Sequence, residues 1–418
     1  MEVVQIISTE VIKPSAITPP SKTLKSFKLG APLDDQSMLL SVASLYVPLT
    51  LFYPAKPRAS FHVGLERAQA LKQSLAQTLT RFYPLAGKIR SGEDDDGGVR
   101  VDCDDSGVCY VEARVKCHLS RFLKRPEYSA LDTFLPAEDG DKGLDQFSLH
   151  VAKIQVNIFE CGGIAVSVLV SHFVNDGVVS LSGFLRDWAG STRGFCDQAF
   201  SLDLSPDELN PMPMKFLNKG KAVTSRLIFD SEAIDSLKAI TMSSRVQNPT
   251  TMEAVSSLIW KCTMESLRTN SGRGSISCAF MLSTRSRRAV ATLCRDESKT
   301  ELDDLAHRLR GAVRKGTNSC SEYESGDLDY LGCYGWCNGG LYEVDFGWGR
   351  PAWVTSSGSP VHKSVFLNSI VLVETRWGNG VEAWVTLDET SMAHLVHNQE
   401  LLTFASTSPQ GQIRWRVQ

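Results

Sequence analysis

No run in this sequence approaches the ~20 apolar residues that a membrane-spanning helix requires. An excess of basic residues is also absent, because 44 lysines and arginines stand against 47 acidic residues and give a net charge of −3. Nucleic-acid binding needs a concentrated basic surface, so the composition argues against such a partner. The N-terminus carries an acid at Glu2 and no apolar run of signal-peptide length. We therefore expect a cytoplasmic protein that spans no membrane.

Motifs for metal binding and for hydrolysis are missing as well. The 11 cysteines are scattered without a C-x-x-C pair, and Cys333 and Cys337 lack the histidines of a zinc site. Reduced, largely buried thiols are the better interpretation. No G-x-S-x-G elbow supports a serine hydrolase, and no glycine-rich phosphate loop is present. The acidic residues at 93–96 could hold a metal but are more typical of a solvated hairpin loop.

The sequence is long enough to form two domains. At 418 residues it exceeds the size at which one hydrophobic core stops growing. Strand and helix patterns are mixed in both halves, which indicates two α/β lobes. Residues 201–221 are rich in Pro, Asp, Asn and Lys, a composition typical of a linker. The sequence therefore predicts an N-terminal lobe at 1–200, a crossover linker at 201–221 and a C-terminal lobe at 222–418.

His172 is the candidate catalytic residue. It follows an almost unbroken aliphatic run at 164–171, the pattern of a strand buried on both faces, and a helical pattern begins at Val178. α/β proteins tend to bind ligands at strand ends of this kind. A neutral imidazole there could take a proton from a hydroxyl, although a hydrogen-bonded core histidine is the commoner case. Asp176 completes an H-x-x-x-D spacing and suits an imidazole partner, a turn residue or a helix N-terminal acid.

The D-F-G-W-G pentapeptide at 345–349 is far harder to match by chance than H-x-x-x-D. A protein kinase also carries D-F-G, but its glycine-rich loop, V-A-I-K strand and H-R-D motif are absent here. Together the two motifs resemble those of the plant BAHD acyl-CoA-dependent acyltransferases. The D-C-x-D-x-G and E-C-G-G segments are most similar to the alkaloid and terpenoid O-acetyltransferase branch of that family. Segments with family resemblance lie at 82–87, 101–107, 159–163 and 380–384.

The resemblance implies a fold and a reaction. The fold would be α/β, with two similar lobes of mixed β-sheet, flanking helices and an active-site tunnel between them, as in chloramphenicol acetyltransferase. An acyl group, acetyl in this branch, would pass directly from acyl-CoA to a hydroxyl of a plant specialised metabolite. His172 would be the general base. We expect a monomer that uses acetyl-CoA as a co-substrate and holds no permanent cofactor or metal.

Roles for the other motif residues also follow from the resemblance. Asp176 is implied to form a structural ion pair with an arginine, and D-F-G-W-G is implied to shape the cofactor-binding lobe away from the reaction centre. Asp345 would pair with an arginine, for which Arg285 matches by position, although a solvated Arg285 is the alternative. The motif residues carried over are Asp345, Gly347, Trp348 and Gly349.

Thr250 and Thr251 are candidate coenzyme A ligands. They open the capping box Thr250-Thr251-Met252-Glu253, and a helix N-terminus attracts phosphates.

One stretch departs from the family pattern. After Arg288 relatives carry a proline-rich segment and a Gly-Asn pair, whereas here the chain runs directly into Cys294. About a dozen residues are missing by comparison, in a segment that the family uses to line the acyl and acceptor site. The alternative to an active enzyme is therefore a catalytically weak homologue that binds acyl-CoA or a metabolite.

Overall fold

The computed structural model describes residues 4–19, 46–91, 99–136, 148–171, 174, 178–195, 217–271, 277–283, 289–295, 300–315, 328–356 and 365–407. The strands are β1 (Val4–Ile12), β2 (Tyr46–Tyr53), β3 (Lys88–Ser91), β4 (Val99–Asp102), β5 (Val108–Val115), β6 (Ser148–His150), β7 (Ala152–Phe159), β8 (Ile164–Ser171), β9 (Leu217–Lys219), β10 (Ala222–Phe229), β11 (Ser277–Ser283), β12 (Ala289–Arg295), β13 (Leu328–Gly335), β14 (Trp353–Thr355), β15 (Val365–Leu367), β16 (Ser369–Glu374) and β17 (Val381–Asp388). The helices are α1 (Phe61–Arg81), α2 (Leu119–Lys124), α3 (Tyr128–Leu131), α4 (Val178–Thr192), α5 (Ser231–Thr241), α6 (Thr251–Ser271), α7 (Leu302–Lys315), α8 (Glu389–Val396) and α9 (Gln399–Phe404). This mixture of strands and helices confirms the α/β class.

The chain divides into two compact units. Unit 1 comprises Met1–Met214, Gly339–His362 and Pro409–Gln418. Unit 2 comprises Lys215–Asn338 and Lys363–Ser408. The structure therefore corrects one expectation, because D-F-G-W-G belongs to unit 1 and not to a lobe made of residues 222–418. The physical reason is the pairing of β14, which follows the motif, with β2 of the N-terminal sheet.

The main sheet of unit 1 has the strand order β1-β5-β7-β8-β2-β14. β5 and β7 run parallel, and the other neighbouring strands run antiparallel. β7 and β8 lie at the centre, and every residue of both strands is buried. This agrees with the aliphatic run that predicts a strand buried on both faces. A smaller sheet in the same unit has the order β4-β3-β6.

Helices α1 and α4 of unit 1 pack against each other. The indole N–H of Trp188 in α4 donates to the carbonyl of Leu71 in α1 at 3.0 Å. Arg81 Nε, in the last turn of α1, donates to Asp187 Oδ2 at 3.0 Å. α1 ends at Arg81, and a 3-10 turn at Tyr83–Ala86 follows it. These bonds fix α4, the helix that follows the H-x-x-x-D segment in the chain.

Unit 2 is built on a sheet of order β10-β17-β16-β13-β11-β12. β11, β13 and β16 run parallel to one another, so their carboxyl ends lie at the same edge. α6 packs its buried face on this sheet, and the Trp260 ring lies 4.7 Å from the Phe280 ring of β11. α/β sheets bind ligands at the carboxyl ends of their parallel strands. The start of β17 and the N-terminus of α6 lie beside this edge, since both contribute residues to one pocket there.

Candidate functional site

The strand that leads to His172 is the central strand β8, which ends at Ser171. Its pairing places Ser171 opposite Tyr46 of β2, and Leu169 opposite Lys153 of β7. His172, Asp176 and Arg285 lie outside the described residues, so the roles assigned to them stay predictions. The described part shows that the residue before His172 ends a strand whose side chains are all buried.

A buried lysine, Lys153 of β7, lies near this end of β8, because it pairs with Leu169, two residues before Ser171. Lys153 is 5% exposed, and its Nζ lies 5.4 Å from the centre of the Tyr46 ring. The Tyr46 hydroxyl donates to the carbonyl of His150 at 2.6 Å, which fixes the ring. A cation that faces an aromatic ring at this distance is attracted by the electrons of the ring.

The D-F-G-W-G segment forms a turn organised by its carboxylate. Asp345 Oδ1 accepts hydrogen bonds from the backbone N–H groups of Gly347 at 2.8 Å and Gly349 at 2.9 Å. The φ angles of these glycines are +107° and +106°, a region that side chains with a Cβ rarely adopt. Within the described residues Asp345 has no arginine partner. The structure thus gives Asp345 a turn-holding role that sequence reasoning missed.

The aromatic residues of the motif anchor this turn in unit 1. Phe346 is 1% exposed, and its ring lies 5.2 Å from Trp188, 5.6 Å from Tyr53 and 5.7 Å from Trp348. The guanidinium of Arg67 lies 5.3 Å from the centre of the Trp348 ring. Burial, followed by the charge of Asp345, raises the pKa of the Tyr53 hydroxyl well above its usual value.

The N-terminus of α6 has the predicted capping box. Thr250 Oγ1 accepts from the Glu253 N–H at 3.1 Å, and Glu253 Oε2 accepts from the Thr250 N–H at 2.8 Å. Arg310 Nε donates to Glu253 Oε1 at 2.7 Å. Burial would raise the pKa of the Glu253 carboxyl, but the hydrogen bonds from Arg310 and Thr250 outweigh it, and the pKa is lowered. The N–H groups of Thr251 and Met252 have no acceptor within the helix and can donate to a ligand.

A pocket of about 640 Å³ opens at this helix terminus, entirely within unit 2. It lies at the carboxyl ends of β13 and β16 and is lined by Thr250, Thr251 and Met252 of the α6 N-terminus. Gly335, the last residue of β13, forms part of its wall. Sequence reasoning found the two threonines from their capping pattern. The pocket itself depends on strand pairing that no local pattern reveals.

The charges that line this pocket are few and mixed. Among the described residues that line it, Lys238 of α5 is the lysine, and Asp235 and Glu374 are the acids. Glu374 Oε2 already accepts a hydrogen bond from the Asn338 N–H at 2.9 Å. Lys238 was missed because nothing near it in the sequence links it to the N-terminus of α6. Most of the described lining residues carry no charge.

Cys262, Cys278 and Cys333 are buried cysteines outside any disulfide. Burial raises the pKa of Cys262 and of Cys333 to about 12 each, so neither is a thiolate at neutral pH. Across the described ranges no group of histidine, cysteine and acidic residues has a metal-binding arrangement. No helix in the same part of the chain is long and apolar enough to cross a bilayer.

Comparison with known proteins identifies the family. The sequence matches the family model described as the Transferase family over residues 2–296 and 287–402. The chain belongs to the BAHD acyltransferase family. It is therefore an acyl-CoA-dependent acyltransferase, as the two signature motifs predict.

BAHD relatives match nearly the whole chain. Epi-neemfruitin B 7-O-acetyltransferase of Melia azedarach is 34% identical, with 97% of this chain and 99% of the relative covered. Vinorine synthase of Rauvolfia serpentina is 33% identical, with 93% and 95% covered. The crystal structure of vinorine synthase superposes with a TM-score of 0.73 at 27% identity, covering 98% of this chain and 100% of the other. These matches confirm the predicted family and two-lobed fold class.

A more distant structure shares the fold alone. TRI101 of F. graminearum, solved with coenzyme A and T-2 mycotoxin, has a TM-score of 0.64 at 15% identity, with 92% of this chain and 99% of the other covered.

The match to the BAHD family model consists of two segments that meet at residues 287–296. That break falls where the sequence departs from the family pattern after Arg288. In the structure, β12 of this stretch pairs antiparallel with β11 at the edge of the unit 2 sheet.

Proposed function

We propose that this BAHD enzyme transfers an acetyl group from acetyl-CoA to a hydroxyl of a plant specialised metabolite. The observation that carries the proposal is the near full-length similarity to proteins named as acetyltransferases, one acting on a limonoid. The enzyme works as a cytosolic monomer, which sedimentation and localisation of a tagged protein would test. A terpenoid or an alkaloid alcohol is the acceptor, since relatives of both kinds are about equally similar.

His172 is the general base in this proposal. It follows the central strand β8 directly, so a rigid sheet would position its imidazole. The acceptor oxygen would lose its proton to the imidazole as it forms a bond to the thioester carbonyl carbon, and the coenzyme A thiolate would leave with the C–S electron pair. The raised pKa values of Cys262 and Cys333 argue against acyl transfer through either thiol.

The pocket at the α6 N-terminus is the proposed binding site for coenzyme A. Its lining residues are mostly uncharged, which suits the pantetheine arm, and the N–H groups of Thr251 and Met252 can donate to a phosphate. Thr250 is already engaged in the capping box, so its part is to hold the helix end in place. Thr251 and Lys238 are candidate side chains for direct contact.

Two experiments test the proposal. In the first, purified protein, acetyl-CoA and a panel of limonoid, alkaloid and simple alcohols are combined, and release of free thiol is measured. Release that depends on one acceptor class supports the proposal, and no release with any member contradicts it. In the second, labelled acetyl-CoA is added without acceptor. A stable protein-bound label that is later passed to an alcohol would overturn direct transfer.

A second candidate is a weak or inactive homologue that binds acyl-CoA. The break in the family match at 287–296 favours it, because the shortened stretch normally lines the acyl and acceptor site. An active site that admits water weakens its own electrostatic interactions. Calorimetric binding of coenzyme A without turnover on the whole panel would establish this candidate over the first.

A further inference from the structure

The side chain of Lys153 reaches from the middle of the unit 1 sheet to the level at which β8 ends. Residues that pair across antiparallel strands share one face of a sheet, and so do residues two apart on one strand. Lys153 pairs with Leu169. Two residues further along β8, Ser171 pairs with Tyr46 of β2. All four side chains therefore share a face, and Lys153, whose Nζ lies over the Tyr46 ring, crosses β8 towards the row that contains Ser171.

The surroundings of this positive charge are apolar. Lys153 is 5% exposed, and Tyr46, Leu135 and Leu169 form a buried hydrophobic cluster on its face of the sheet. Charges separated by apolar groups interact more strongly than charges in water, because the effective dielectric constant between them is lower. The field of the ammonium therefore extends over several ångströms at the end of β8.

Other ionisable groups pack around Lys153 from the neighbouring strands. Cys109 of β5 pairs with Lys153. The hydroxyl of Tyr46 donates to the carbonyl of His150 in β6, and Lys88 of β3 pairs with His150. The His150 Nδ1 lies 2.9 Å from a backbone carbonyl oxygen. Histidine is the side chain among these that titrates near neutral pH, so a pH-dependent effect of Lys153 has to be separated from His150.

We propose that the Lys153 ammonium keeps the imidazole of His172 neutral at the pH of the reaction. His172 is bonded to Ser171, in whose row the ammonium lies, and a nearby like charge disfavours a protonated imidazole. The inference rests on the proposed role of His172 as the general base. A base has to be neutral to accept the proton of the acceptor hydroxyl, so Lys153 extends activity to lower pH. It acts through His172 and needs no contact with either substrate.

The test is the pH profile of kcat/KM, measured with the panel alcohol that turns over fastest. Using the same alcohol for every variant cancels its own ionisation. Lys153→Met replaces the ammonium by an apolar side chain of similar length, so the acidic limb of the profile should move up by about one pH unit. Lys153→Gln, a second neutral variant, should show the same shift. Lys153→Arg retains the charge and should keep the limb of the unaltered protein.

Lys72 provides a matched control in the same unit. Its Nζ lies 5.6 Å from the centre of the Tyr110 ring, a contact of the same kind. Tyr110 pairs with Ile154, the neighbour of Lys153 on β7, and therefore lies on the opposite face of the sheet. Lys72→Met should leave the acidic limb unchanged. The limb should also persist in His150→Asn, because His172 sets it.

The outcomes separate this inference from the proposed function. An unchanged acidic limb in both neutral variants, or an equal shift in Lys153→Arg, would overturn the inference while the transferase function stands. Lower kcat/KM at every pH without a displaced limb would show that Lys153 is structural and would overturn it as well. Full turnover by His172→Ala would instead overturn the proposed function in which His172 is the base.

Discussion

Met252 packs so closely on Gly335 that a Cβ built at Gly335 would lie 1.8 Å from Met252 Cε. Both residues line the unit 2 pocket, so a side chain at position 335 must push the thioether aside. The clash involves the end of a flexible side chain, and the fold should tolerate it.

We predict that Gly335→Ala weakens coenzyme A binding several-fold with little change in melting temperature. Met252→Ala in the same protein should restore binding, because it removes the atom that the new methyl group displaces. A double-mutant cycle on calorimetric affinities measures this coupling. Additive effects would show that Met252 does not transmit the change.

Glu253 should make the α6 terminus sensitive to acid. Its pKa is lowered in the folded protein, so its stabilising effect is present above the ordinary carboxyl pKa and is lost as pH falls through the folded value. Thermal melts between pH 7 and pH 3 should show a loss of stability that Glu253→Gln reduces. Asp230, which caps α5 through the Ala233 N–H, serves as the control through Asp230→Asn. If Glu253→Gln leaves the pH profile unchanged, Glu253 does not carry this effect.

Arg226 and Glu382 form a buried ion pair between β10 and β17 of unit 2. Their side chains are 3% and 5% exposed, and Arg226 Nε donates to Glu382 Oε2 at 2.8 Å. Arg226→Met should destabilise the protein by about 3–5 kcal/mol, because it leaves a buried carboxylate without its partner. The double variant Arg226→Met/Glu382→Leu should recover most of that loss in denaturant melts. A double variant as unstable as the single one would show that packing, not charge, dominates.

The sequence predicted the parts of this fold that depend on local patterns. The aliphatic run of β8 and the capping box of α6 identify their elements because burial and capping leave a signature within a few residues. Leu341–Glu343 forms a 3-10 turn that follows Gly340 at a φ of +72°, and no local pattern at this point of the sequence indicates it. The location of D-F-G-W-G in unit 1 could not be predicted, because it follows from the long-range pairing of β14 with β2.

Asp345 can be tested as a turn-holding residue rather than an ion-pair partner. Both of its described hydrogen bonds are accepted by Oδ1, and an asparagine can supply an equivalent oxygen without the charge. Asp345→Asn should therefore melt near the unaltered protein, whereas Asp345→Ala should lose about 1–2 kcal/mol, as when a capping side chain is removed. Equal destabilisation by both variants would favour the arginine pairing that the family resemblance implies for Arg285.

Substitution of His172 should lower turnover and leave stability unchanged, in contrast to Asp345→Ala. His172→Ala removes the proposed base but no buried charge partner, so the protein should fold and melt normally while turnover falls by roughly 10²–10⁴-fold. Coenzyme A affinity should be unchanged, since the proposed site for the donor is the unit 2 pocket. Melting curves, calorimetry and turnover on the same preparations separate these effects. An early melt of His172→Ala, alongside a folded but slow Asp345→Ala, would mean that the two motifs have exchanged roles, with D-F-G-W-G serving the chemistry.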